Sequence, residues 1–253
     1  MKVFVSLQIG IIAVACCICW LINSNQSDAG FIGNKKYLDL SKLNAKSYII
    51  TEDNAAVGQT AEEYVSFFEK MYADIKAPFF DKQILIVTAK DNYSVYDRTF
   101  QQDVKIEQVI NGNTNLEGQV LPMMFSGGFY YETPAERDNR VSHSNFYSQK
   151  LYKDDTSQQF VFDMAGLNIM KPGHSYLVFA QSLCFDDYTI ICADKHQYTW
   201  FDLSDTKTSV VKNNVMSDNS ENEIFTDSQI VIDDFYKLKK EVLDYYGINS
   251  SDD

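Results

Sequence analysis

The chain has 253 residues, of which 45% are hydrophobic and 23% are charged. This length corresponds to one or two domains, and the composition argues against a disordered chain, a collagen-like repeat or a polytopic membrane protein. Its 22 Lys and Arg face 35 Asp and Glu, which gives a net charge of -13. We therefore expect no nucleic-acid partner, because a phosphate backbone is bound through Lys and Arg. The same deficit argues against a basic patch on anionic lipid.

The first strong signal is an apolar run from Val3 to Ile22, broken only by Ser6, Gln8 and Gly10. About 20 apolar residues suffice for a helix to cross the hydrocarbon core of a membrane. Residues 1–29 are therefore predicted to be a signal anchor or signal peptide, with the membrane as partner through Val3 to Ile22. We expect a single-pass protein whose domain lies outside the cytoplasm, or alternatively a secreted one.

Three fates of this leader compete. An uncleaved anchor is favoured by the length of the run and by the bulky residues 20–22 at its end. Cleavage after Ala29 is the second fate, since small residues precede that bond. Lipid attachment at Cys16 is the third, because residues 13–16 loosely resemble a lipobox. The run stays apolar past Cys16, so we rank lipidation last.

A tether with a short strand is predicted for residues 30–59, followed by a helix and a β-barrel in residues 60–203. The helix is indicated by the capping box of Thr60 and Glu63. Apolar residues then recur every three or four positions as far as Ile75. Pro78 is expected to end the helix, because the residue before proline is pushed out of helical geometry.

Short apolar runs and period-two alternation follow, which is typical of strands. The run 84–87 reads as a buried strand, and Asn111-Gly112 marks a turn that Gly118 suggests is longer than two residues. Pro122 in the next strand points to an edge or a bulge. Because most strands are joined locally, we predict an α+β fold: a mostly antiparallel, small, closed or partly closed β-barrel with two flanking helices.

The C-terminal part is predicted as an acidic linker at 204–225, a helix at 226–247 and a disordered tail at 248–253. Residues 226–229 can cap the helix, and Gly247 can end it. One stripe of this helix is apolar, and its members are Val231, Phe235, Leu238, Val242 and Tyr245. We expect the stripe to dock on the barrel rather than to form a dimer seam, because two heptads are short for an independent coiled coil.

A resemblance follows from a set of turn and strand residues. The pattern Val104-x-Ile106, Val109-Ile110-x-Gly112, Gly118 and Met170-Lys171-Pro172-Gly173-x-x-Tyr176-Leu177-Val178-Phe179 resembles exported bacterial proteins of largely unknown function. In them a strand ending KVIKG precedes LKPGxxYLLF. The barrel also looks like the OB-like fold of netrin-type and metalloproteinase-inhibitor modules. The resemblance covers about residues 84–203 and carries no catalytic residue. The inhibitors' N-terminal cysteine has no counterpart, so protease inhibition is not implied.

Candidate ligand-binding residues lie in and before the polar segment 133–159. Arg137 and Arg140 are two of the chain's three arginines, and His143 follows them. Guanidinium forks suit carboxylate or phosphate groups, whereas Tyr130 and Tyr131 could stack on sugars. The alternatives are a surface loop without a ligand and ordinary aromatic packing.

Two cysteines remain outside the leader, Cys184 and Cys192, and they flank a probable turn at Asp186-Asp187. We expect them on neighbouring strands, as a candidate disulfide or as two small core residues. The three histidines lack the spacing of a zinc site. Serine-elbow and phosphate-loop motifs are also missing from the sequence. We predict no cofactor, no metal and no catalytic residue.

The function expected from these features is non-catalytic binding or assembly at the cell envelope, with an envelope polymer or a protein as partner. Enzymatic activity stays open. The alternative is an exported hydrolase that acts on cell-wall glycan or peptide. A hydrolase should show converging acids or a Ser/His pair in a pocket, whereas a binding module should show an exposed apolar or aromatic face.

Overall fold

The described part of the chain contains nine strands, two α-helices and one short 3-10 helix at Thr114–Leu116. The structure is a computed structural model, and it describes residues 45–47, 50, 52, 55, 58–73, 80–96, 99–126, 128–132, 159–163, 166–185, 188–193, 198–211 and 221–248. The predicted leader, including Cys16, lies outside these residues. Among the helices that are described, none is long and apolar enough to span a membrane.

The elements follow one another along the chain in this order: β1 (Ala45–Ser47), α1 (Ala61–Ala73), β2 (Phe80–Tyr96), β3 (Thr99–Asn111), β4 (Val120–Ser126), β5 (Gly128–Glu132), β6 (Gln159–Asp163), β7 (Ser175–Cys184), β8 (Thr189–Ala193), β9 (Trp200–Asp202) and α2 (Gln229–Tyr245).

Five strands close into a barrel in the order β2-β3-β4-β8-β7, and β7 pairs back with β2. Strand β9 extends the sheet beside β7. The predicted α+β barrel with two helices is thus confirmed. Four of the five pairings that close the barrel are antiparallel. The barrel is nevertheless mixed, not antiparallel, because residues 123–125 of β4 pair in parallel with residues 191–193 of β8. These two strands are far apart in the chain, so no hairpin dictates their direction.

A second, three-stranded sheet has the order β1-β6-β5. Strand β1, which lies in the predicted tether, pairs in parallel with residues 160–162 of β6. Strand β5 pairs with β6 on the other side and carries Tyr130 and Tyr131 opposite Val161 and Phe160.

Several local signals are confirmed as they stand in the sequence. Thr60 and Glu63 form the capping box, since each backbone N–H donates to the other residue's side chain at 3.0 and 3.2 Å. Gly112 has φ +121°, and a Cβ there would lie 2.1 Å from Oε1 of Gln83, so the turn requires glycine. Pro122 pairs only with β3, outside the residues of β4 that pair with β8.

Helix α2 docks against the domain through a buried stripe. Val231, Phe235, Leu238 and Val242 are all buried, as predicted. Tyr245 was the wrong last member, because 54% of it is exposed. Tyr246 takes that place, and its ring centroid lies 6.0 Å from that of Phe179. Tyr246 is the C-cap residue, with φ -90° and ψ 3°, so the spacing of the helix no longer applies to it.

Residues at the end of the predicted tether (30–59) and at the end of the predicted linker (204–225) pack into the domain. Ile224 and Phe225 are buried, and the carbonyl of Phe225 accepts a hydrogen bond from the N–H of Ile50 at 2.9 Å. Thr226 donates its hydroxyl to the carbonyl of Ile50 at 2.7 Å. At Gly166, with φ +79°, a Cβ would lie 2.2 Å from Cγ1 of Ile50. Residue 50 is therefore clamped between two distant segments.

Candidate functional site

A buried carboxylate, Asp202, organises the largest polar cluster among the described residues. It closes β9 and is 2% exposed. Its Oδ1 accepts hydrogen bonds from the N–H and the hydroxyl of Ser204 at 2.8 and 2.5 Å. Its Oδ2 accepts from Nδ1 of His174 at 2.9 Å and from the Thr206 hydroxyl at 3.2 Å. Each carboxylate oxygen thus has two donors.

Strand pairing brings these residues together. Asp202 is the register partner of Tyr176 in the β7–β9 pair. His174 sits one residue before β7, at the end of the turn that Pro172 and Gly173 make, and Gly173 has φ +83°. Burial by itself would raise the pKa of Asp202, but the hydrogen bonds from Ser204 and His174 hold it below its ordinary value.

A buried ion pair joins this cluster to α2. The Lys239 ammonium donates to Oε2 of Glu223 at 2.8 Å, and both side chains are almost fully buried. Oε1 of Glu223 accepts from the backbone N–H of Asp202 at 2.7 Å. Burial raises the pKa of Glu223 to about 7, against the opposing effect of Lys239. The Lys239 ammonium also lies 5.5 Å from the ring centroid of Tyr236.

A cavity of about 190 Å³ opens beside this ion pair, between the loop after β9 and the last turns of α2. The loop contributes residues 203–206. The helix and the residue beyond its end contribute Tyr236, Lys239, Lys240, Leu243, Asp244 and Ile248. The cavity therefore combines apolar, cationic and anionic surface.

The grouping of Ser204, His174 and Asp202 does not work as a catalytic triad. A triad uses both imidazole nitrogens, one toward the acid and the other toward the serine. Here the same nitrogen, Nδ1, faces Asp202 at 2.9 Å and Ser204 at 3.1 Å. An ionised carboxylate only accepts hydrogen bonds, so Nδ1 carries the proton and cannot take another from Ser204. The serine hydroxyl itself donates to Asp202.

An exposed pair of aromatic rings stands at the β7–β8 hairpin. Phe185 and Tyr188 are 44% and 56% exposed. Their rings stack on each other with centroids 4.5 Å apart and planes 19° apart. The N–H of Phe185 donates to the carbonyl of Tyr188 at 2.8 Å, which holds the base of the turn. Each ring keeps its outer surface accessible to a partner.

The residues that the sequence predicts to bind a ligand are described only in part. Arg137, Arg140 and His143 lie outside the described residues. Tyr130 and Tyr131 are placed on β5 through their backbone only. Their grouping into one binding site stays a prediction.

Cys184 and Cys192 lie on the adjacent strands β7 and β8, as predicted, but both thiols are free. The register partner of Cys192 is Gln181, three residues from Cys184. That offset corresponds to about 10 Å along the strand, beyond the reach of a disulfide. An odd offset also places the two side chains on opposite faces of the sheet. The candidate disulfide is therefore not formed.

The polar cluster could not be predicted from the sequence, because its members lie far apart along the chain. His174, Asp202, Glu223 and Lys239 are separated by 16 or more residues and match no motif. The only local signal is the spacing of Asp202, Ser204 and Thr206, where side chains of short polar residues bond back to a preceding carboxylate. In the described ranges, no group of three or more metal-ligating side chains comes together. Compared with known proteins, the chain matches no family model and no curated protein.

Proposed function

We propose that the chain is an extracytoplasmic, membrane-anchored module that binds a component of the cell envelope without catalysing a reaction. The observation that carries the non-catalytic part of this proposal is the hydrogen bonding within the polar cluster around Asp202. The hydroxyl of Ser204 donates its hydrogen bond to Asp202, and Nδ1 of His174 also donates to Asp202. A hydrolase needs a nucleophile or a water that a neighbouring base can deprotonate, and this cluster offers no such pair.

The aromatic pair of Phe185 and Tyr188 supports binding. Large, stacked and exposed rings are typical of surfaces that contact partners. Sugar rings offer apolar C–H faces that pack on such a surface. The net charge of -13 disfavours phosphate-rich polymers and anionic lipid headgroups. We therefore propose wall glycan as the ligand.

The barrel is proposed to be OB-like, as its sequence pattern suggests. Two features support this. Strands β2, β3 and β4 are consecutive, and β7 returns to lie beside β2, which is the Greek-key order. A five-stranded Greek-key barrel is the plan of OB folds, whose loops bind oligosaccharides among other ligands. The Phe185–Tyr188 pair lies on one such loop.

Retention on insoluble peptidoglycan tests the proposed function. We expect the double variant Phe185→Ala/Tyr188→Ala to bind at least tenfold more weakly than the wild type, since a few exposed aromatics dominate such interfaces. Tyr245→Ala is the matched control, because Tyr245 is a similarly exposed aromatic on α2. Equal retention of all three proteins would refute the aromatic site. Release of soluble wall fragments that Ser204→Ala abolishes would refute the non-catalytic assignment.

The topology is tested separately by labelling. We predict that Val3 to Ile22 crosses the membrane and that residue 35 lies outside. A Lys35→Cys variant should then react with an impermeant thiol reagent in intact cells, above the background of the unsubstituted chain. Labelling that appears only after lysis would show that the domain is inside.

A further inference from the structure

The cavity beside α2 has an apolar floor with one ammonium group in it. Leu243 and Lys239 are buried at its base, and Leu203 and Ile248 are half-buried around them. The Lys239 ammonium has three N–H donors, and its one hydrogen bond to a described residue goes to Glu223. Lys239 therefore places a positive charge in the wall of the cavity.

The rim of the cavity is exposed and carries both signs of charge. Lys240 and Asp244 come from the last turns of α2, and Asp205 comes from the facing loop. None of these three side chains forms a salt bridge with another described residue. The rim therefore presents charges of both signs to a ligand that enters the cavity.

The volume limits the size of the occupant. A cavity of about 190 Å³ holds the equivalent of about six water molecules at ~30 Å³ each. It is smaller than the ~300–1,000 Å³ typical of pockets for drug-sized ligands. The part of a ligand held within this space is therefore about six to ten non-hydrogen atoms, which is less than one oligosaccharide chain.

We propose that this cavity is a binding site for a small zwitterion of the amino-acid type. Its carboxylate would be bound by Lys239 and Lys240, and its ammonium group by Asp205 and Asp244. Its apolar side chain would pack on Leu203 and Leu243. A simple anion would be repelled by the two rim aspartates, and a simple cation would be repelled by the lysines. Only a ligand with both charges therefore pairs with all the charged groups of the opening. This site is distinct from the Phe185–Tyr188 pair and does not depend on glycan binding.

Calorimetric titration of the full-length protein in detergent with L-leucine tests this proposal. We expect saturable binding with one site per chain. N-acetyl-L-leucine lacks the ammonium and L-leucinamide lacks the carboxylate, so each should bind at least tenfold more weakly. Lys240→Gln and Asp244→Asn should each weaken leucine binding at least tenfold. Lys237→Gln is the matched control, since Lys237 is exposed on the same helix but does not line the cavity.

Two outcomes would overturn the proposal. One is the absence of saturable binding at leucine concentrations up to about 10 mM, where even millimolar affinity would be visible. The other is binding of equal strength for leucine and both analogues, with equal leucine affinity in the wild type and all variants. Exposed rim substitutions should leave stability within about 0.5 kcal/mol, which thermal unfolding checks. Peptidoglycan retention of the same variants should be unchanged, so a failure here is distinguishable from a failure of the proposed function.

Discussion

Phe235→Ala is expected to lower the free energy of unfolding by about 3–5 kcal/mol. The side chain is 1% exposed and lies at the centre of the α2 interface. Its ring centroid is 5.0 Å from that of Tyr198 and 5.7 Å from that of Phe201 on β9. Truncation removes the transfer free energy of the ring and leaves a cavity that a packed sheet cannot collapse to fill. Urea unfolding at several protein concentrations measures the effect.

Tyr245→Ala is the matched control for this experiment. It removes an aromatic ring from the same helix, but from a position that is 54% exposed. Its ring has an edge contact with Tyr246 at 5.1 Å, so we expect a loss below about 1.5 kcal/mol. A near-zero effect of Phe235→Ala would show that α2 is not docked in solution. An unfolding midpoint that rises with protein concentration would favour the dimer seam instead.

Lys239→Met is expected to destabilise the protein strongly at pH 8.5 and weakly at pH 5.5. The pKa of Glu223 is raised to about 7 in the folded chain by burial. A raised pKa means that the contribution of Glu223 to stability is complete below its ordinary value and is lost as the pH rises through about 7. Lys239 lowers the pKa of Glu223, so its removal raises that pKa further. The stability of the variant therefore continues to fall at pH values above about 7. An uncompensated buried charge costs about 3–5 kcal/mol.

At pH 5.5 Glu223 is protonated in both proteins, and methionine matches the volume of the lysine stem. The expected loss there is below about 1.5 kcal/mol. The carboxylate of Asp202 does not disturb the comparison, because its pKa is lowered and it stays ionised throughout this range. Stability is read from urea unfolding of wild type and variant at both pH values.

The double variant Glu223→Gln/Lys239→Met is the matched control for Lys239→Met. Glutamine keeps an acceptor for the N–H of Asp202, and neither side chain is charged. Replacement of a whole buried ion pair is often neutral, so we expect stability near that of the wild type at pH 8.5. A loss in Lys239→Met that is the same at both pH values would contradict the role assigned to Glu223.

Much of the fold follows from local sequence. The capping box at Thr60, the Asn111-Gly112 turn signal and four members of the α2 stripe are each recognised from residues close together in the chain. Their physics is short-ranged, so spacing alone is enough. The last member of the stripe failed because the helix ends at Tyr245. The chain leaves helical geometry at Tyr246, whose ring then packs near Phe179, and helical spacing cannot predict that contact.

The candidate site required the tertiary structure. His174 meets Asp202 only because β7 pairs with β9, and Glu223 meets Lys239 only because α2 packs against the segment that precedes it. No spacing in the chain encodes these contacts. The parallel β4–β8 pair, the free thiols of Cys184 and Cys192 and the burial of Ile50 depend in the same way on distant register.

By itself, the sequence determined the apolar stripes, the turns and the acidic balance of this protein, since each depends on neighbouring residues or on composition. The tertiary structure alone decided how the barrel closes and which polar side chains share a buried carboxylate. The physical reason is that a strand can pair with either neighbour in several registers. The choice is made by the packing of the whole core, where a one-residue slip would turn every buried side chain outward.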